Sequence, residues 1–220
     1  MALAANETYW RDGRLKAEAE GYQFGPNNQP AMVPDDNPDP MRRNPNGLFQ
    51  RNGGLVAMRR VELANKNMMY RFAARRFLGG DPTRLKSLLN SPWWMEEDRM
   101  FLLLTRARTG GARLVIAARN QLALPMEWSD ADILVRARPR PGIILAAHAG
   151  PGWTVTVPGG RYIVARGEAP HLFIDQLYVP GLGSLKGDRG AGQANADAWF
   201  DPATLRSFDP DAEGFNPRGP

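Results

Sequence analysis

The residues able to do chemistry in this chain are few. His148 and His171 are its only histidines, and it has no cysteine. Thiolate nucleophiles, disulfides and cysteine-based zinc are therefore excluded, and a zinc or iron site would be short of ligands. No phosphate-binding Walker loop, GxGxxG after a strand, GxSxG elbow or HExxH pair occurs. A Ser-His-Asp triad would need His148 or His171, and neither lies in a suitable context. What remains is Arg71 within Met69-Tyr70-Arg71-Phe72, Ser91 within Asn90-Ser91-Pro92-Trp93-Trp94, Glu168, and Gln176 within Phe173–Gly181. A guanidinium grips phosphate, indoles stack on planar rings, and a carboxylate or amide accepts from a sugar hydroxyl.

Each of these residues also has a purely structural reading. Arg71 would face solvent if its segment is helical. Ser91 before Pro92 is a helix-capping context, and a helix N-terminus also attracts phosphate. Trp93 and Trp94 point in different directions, so at least one is expected to anchor the core. Glu168 before Pro170 fits a turn. Gln176 and Asp175 are expected on opposite faces of a strand. His148, on an apolar strand, reads as a core histidine, and Gly159-Gly160 as a hairpin turn.

Those residues must be positioned by elements that change character along the chain. Asn6–Glu20 reads as a short polar helix stopped at Gly21. Tyr22–Gly54, with six prolines among Asn and Asp, reads as an irregular arm. Leu55–Leu78 has no Gly or Pro, and Val61, Ala64, Met68 and Phe72 lie at helical spacing. This predicts one long helix. The alternative is a helix to Asn67 followed by a strand, Met68–Ala73. Asp81-Pro82 and Ser91-Pro92 both read as helix starts, the second helix running to Gly110-Gly111. A further helix is expected over Ala112–Leu124. Beyond that, Asp132–Arg138, Ile143–His148, Trp153–Val157, Arg161–Ala165 and Leu172–Val179 are short and β-rich, separated by Gly and Pro. The tail after Gly181 reads as irregular, with Trp199, Phe200 and Phe208 tacking it down. The expectation is an α+β fold: an N-terminal helix and arm (1–54), an α+β domain (55–181) with a helical first half and a small, mostly antiparallel split sheet, and an irregular tail (182–220).

The 220 residues, 43% hydrophobic, suffice for one sizeable core. Net charge is +5, and with four lysines the positive charge is almost wholly arginine. That suits phosphate, whether on a dinucleotide or a nucleic acid. No stretch approaches the roughly 20 apolar residues of a membrane span, so no membrane partner is expected. The N-terminus lacks the basic and apolar regions of a secretory signal. A cytoplasmic location, or export by a specialised machine, is the expectation.

In order and type, the motifs from Tyr70 to Gly181 resemble those of ADP-ribosyltransferase-like toxin domains of bacterial polymorphic and secreted effectors. In that family a split sheet wraps round NAD, an arginine or histidine on the first strand contacts it, a serine motif follows, and a late strand supplies Glu or Gln. The resemblance implies Arg71 on a phosphate, Ser91 on the nicotinamide ribose, and Tyr70, Trp93 or Trp94 packed on the cofactor. The position after Gly159-Gly160 holds Arg161, which leaves Glu168 or Gln176 as the acceptor. It further implies NAD as the consumed substrate, a macromolecular acceptor or water as the recipient of ADP-ribose, and an immunity partner. Two other readings fit the composition. One is a structural or assembly protein of a virion or secretion apparatus, its arms ordering on neighbours. The other is an arginine-rich nucleic-acid-binding module.

Overall fold

The computed structural model describes residues 3–22, 52–124, 126, 129–153, 155–157, 160–162, 174–183 and 189–219. Glu168 and His171 lie outside them. Where a single helix is expected over Leu55–Leu78, the chain forms two strands, β1 (Arg59–Leu63) and β2 (Met69–Ala73). The reason is visible in β2. Met69 and Ala73 pack into one core, and Tyr70 and Phe72 into another. A strand buried on both faces reads as a continuous apolar run, with no alternation to mark it.

Asn6–Glu20 is two short helices, α1 (Glu7–Trp10) and α2 (Gly13–Ala19), broken at Asp12, whose side chain caps Arg14 N. Pro82–Leu89 is a 3-10 helix. Ser91-Pro92 opens a strand, β3 (Trp93–Glu96), and the helix starts only after it. That helix, α3 (Glu97–Thr109), buries Met100, Leu103, Leu104 and Ala107 at i, i+3, i+4, i+7. Acids in its first turn and arginines in its last complement its dipole. Next come α4 (Leu114–Leu122), β4 (Ile133–Ala137), β5 (Leu145–Pro151), a β6–β7 hairpin (Val155–Val157, Gly160–Tyr162) and β8 (Asp175–Tyr178). The tail is ordered into α5 (Arg189–Trp199) and β9 (Arg206–Phe208) rather than irregular. Trp199 and Phe200 are buried within it.

The fold is α+β. Seven strands form one antiparallel sheet in the order β1-β5-β8-β3-β2-β4-β9. One core holds Trp94, Leu145, Leu177 and Val135 under the 3-10 turns and α5. On the opposite face, α3 and α4 cover Tyr70, Phe72, Met95 and Leu134. Beside them α2 covers Tyr178.

The sheet is split at β3. Trp93 and Trp94 pair with Tyr178 and Leu177 of β8, while Met95 and Glu96 pair with Tyr70 and Met69 of β2. Four residues thus hand the sheet from one half to the other. Beyond the handover the two halves diverge, and Arg71 and Gln176 lie where neither is paired to β3. Among the described residues, no helix is long and apolar enough to cross a membrane.

Candidate functional site

The split opens a cleft with two lobes sharing Arg71, Phe77, Ser91 and Trp93. The first lobe, about 220 Å³, is walled by Phe72, Leu122, Leu124, Trp153 and Val155, with Gln176 as a polar group. The second, about 510 Å³, is polar, and Glu18, Ser87 and Asn90 reach it. Together they fall in the range of roughly 300–1,000 Å³ that takes a cofactor-sized molecule.

Arg71 occupies the junction. Its Nη1 donates to the carbonyl oxygen of Leu88, and the guanidinium lies over the Trp94 ring at 5.8 Å. Among the described residues no carboxylate pairs with it, and its buried Nε has no partner. Burial alone pulls its pKa down to about 10. It remains charged at neutral pH, and a buried charge without a counter-ion is costly. A buried guanidinium with an open Nε is chemically able to take an anion.

Ser91 does not cap a helix. Its Oγ accepts from Trp93 N at 3.3 Å, a local turn that starts β3, so no helix dipole adds to Arg71 here. Among the described residues its hydroxyl proton has no acceptor and can be donated into the cleft. Gln176 donates from Nε2 to Leu122 O at 3.1 Å, which leaves Oε1 as an acceptor. Its neighbour Asp175 pairs with Arg59 at 2.7 Å, as strand alternation requires.

Of the sequence-derived candidates, Arg71, Ser91, Trp93 and Gln176 meet in the cleft. Tyr70 and Trp94 do not. Tyr70 is fully buried under α3, its hydroxyl donating to Pro217 O. Trp94 is buried on the other face of β3, stacked on Phe200 at 5.0 Å. It carries Arg71 from beneath rather than touching the cleft. His148 is buried against Trp10, ring centroids 5.4 Å apart, and burial lowers its pKa. Arg161 falls on β7 opposite Thr156.

Three cleft residues escaped the sequence reading. Phe77 follows β2 and exposes half its surface at the rim of both lobes. Trp153 precedes β6. Glu18 comes from α2, some 50 residues before β2, where no local pattern links it to the site. Burial raises its pKa although the Tyr178 hydroxyl hydrogen-bonds to it.

Comparison with protein-family models, with curated proteins and with solved structures finds no match.

Proposed function

We propose that this chain is an NAD-consuming effector domain, an ADP-ribosyltransferase or NAD glycohydrolase. The observation that carries the reading is the buried guanidinium of Arg71, without a counter-ion among the described residues, in a cleft it shares with Ser91, just before β3, and Gln176 on β8. In this reading Arg71 takes a phosphate of the dinucleotide. The nicotinamide enters the apolar lobe against Trp93 and Trp153, and Ser91 holds its ribose.

Gln176 Oε1 accepts from the ribose hydroxyl, so that oxygen's electron density supports positive charge growing at C1′. The C1′–N bond breaks, and its electron pair leaves with nicotinamide. A hydroxyl of the acceptor, or water, then bonds to C1′ and gives up its proton. The acceptor is an intracellular macromolecule or water. Delivery is by a specialised secretion route, and an immunity protein guards the producer.

The test is NAD consumption by the purified chain, with and without cell lysate, alongside Arg71→Ala, Gln176→Ala and Glu168→Ala. Turnover lost in Arg71→Ala supports the reading, and the other two variants decide which acceptor acts. No turnover and no NAD binding at millimolar cofactor refutes it. The assembly-protein reading is then taken up, with light scattering as its first measurement.

A further inference from the structure

The polar lobe contains a cation and a carboxylate that do not meet. Arg71 and Glu18 both line it. The perturbation of Arg71 comes from burial alone, and that of Glu18 involves burial, Tyr178 and Arg14 but not Arg71. Two opposite charges facing one space without pairing leave room for something between them. Ser87 and Asn90 are partly spent internally, and Ser91 is shared with the first lobe. Ser87 Oγ donates to Arg84 O at 2.7 Å, and Asn90 Oδ1 accepts from Gly183 N at 2.7 Å. Of the side chains lining the lobe, Arg71 is the charged donor and Glu18 the charged acceptor.

Glu18 is held for that task. Its partner Tyr178 is buried on β8, with its ring edge-on to Trp93 at 5.1 Å. A carboxylate has roughly four acceptor positions, so one phenol leaves it capacity. Arg14, the one cation acting on it among the described residues, is exposed one turn earlier on α2 and screened by solvent. Beside a bound phosphate, a carboxylate with spare acceptor positions suits a ribose diol, and it repels a phosphate carried there.

Resting on the dinucleotide reading above, we infer that Glu18 is a specificity-determining residue. It accepts from the adenosine ribose hydroxyls in the polar lobe and so makes the site select NAD over NADP. The N-terminal helices, held on β5 and β8 by Leu15, Ala19 and Asn6, thereby bring Glu18 to the cleft.

The experiment is titration of the full chain with NAD and with NADP, followed by calorimetry. The wild type binds NAD at least about tenfold more tightly. Glu18→Gln keeps an acceptor for the Tyr178 hydroxyl but loses the charge, and it narrows that ratio to within about threefold. Tyr178→Phe, which frees Glu18 to move, gives an intermediate ratio. Equal wild-type affinities, or a ratio unchanged in Glu18→Gln, overturn the assignment while leaving the dinucleotide reading standing. Binding of neither dinucleotide at millimolar concentration overturns both.

Discussion

Trp94 donates from its indole Nε1 to the carbonyl oxygen of Ser91 at 2.7 Å. The bond joins the buried side of β3 to the residue that opens the cleft. It fixes the backbone of Ser91 from below while the same indole supports Arg71. Trp94→Phe keeps the stacking on Phe200 but removes the donor. It should destabilise the fold by about 1–2 kcal/mol, and Trp94→Ala by about 3–5 kcal/mol. Denaturant unfolding measures this. Trp94→Phe should also weaken ligand binding, and unchanged binding would show that Ser91 needs no such support.

Arg71 offers a separation of stability from function. Its charge is buried without a counter-ion among the described residues, so Arg71→Met should be neutral or stabilising by about 1 kcal/mol. The same change should abolish binding of any phosphate-bearing ligand. Thermal melts with and without millimolar inorganic pyrophosphate provide the readout. The wild type should be stabilised by the anion and the variant not. A variant that unfolds well below the wild type would mean that the bond to Leu88 O matters more than the charge.

Gln176→Ala removes the acceptor in the apolar lobe but leaves Arg71 and Ser91 in place. We expect NAD affinity within a few-fold of wild type and turnover lower by roughly 100-fold. Single-turnover kinetics separate the two. Equal losses in binding and turnover would make Gln176 a mere wall of the lobe.

The N-terminal helices are pinned by charge. Glu7 pairs with Arg60 at 2.8 Å and with Arg11 at 2.8 Å, and Arg60 lies over the Trp10 ring at 4.3 Å. Arg60 and Arg11 together bring the Glu7 pKa from 4.5 down to about 2. A carboxyl whose folded pKa is depressed adds stability above its unfolded pKa and loses it as pH falls to the folded one. The contribution is thus full above pH 4.5 and disappears toward pH 2. Melting temperatures of Glu7→Gln should decline less steeply than wild type across that window and lie below it at neutral pH. Parallel curves would sink the idea.

Much of the second half was legible in the sequence. Gly- and Pro-bounded apolar runs marked β4, β5, β6 and β8, and Gln176 and Asp175 separate as alternation demands. The first half misled in part: the alternative strand over Met68–Ala73 matches β2, but the single long helix does not form. Val61, Ala64, Met68 and Phe72 share a helical spacing by coincidence, because β2 is buried on both faces. Ser91-Pro92 carries the chemistry of a helix start, but the acids Glu97 and Asp98 mark the true one. In α5 the small residues that read as irregular are required by contact. A Cβ on Gly192 would lie 2.2 Å from Gly183 O and 2.5 Å from Asn90 Oδ1, so this helix packs at a distance only glycine allows. Arg71, Ser91 and Trp93 were visible as types. Glu18 was not, because its place depends on a helix docking across β8, a long-range event that no local pattern encodes.

The handover at β3 has a mechanical consequence. Among the described residues, Trp93 to Glu96 carry all the strand hydrogen bonding between the two half-sheets. The halves therefore meet at a joint four residues long, with Arg71 riding on one arm and Gln176 on the other. Torsion of so short a joint sets the spacing of those two side chains directly. A molecule gripped by both would work as a brace across it, a second tie between half-sheets that already share one core.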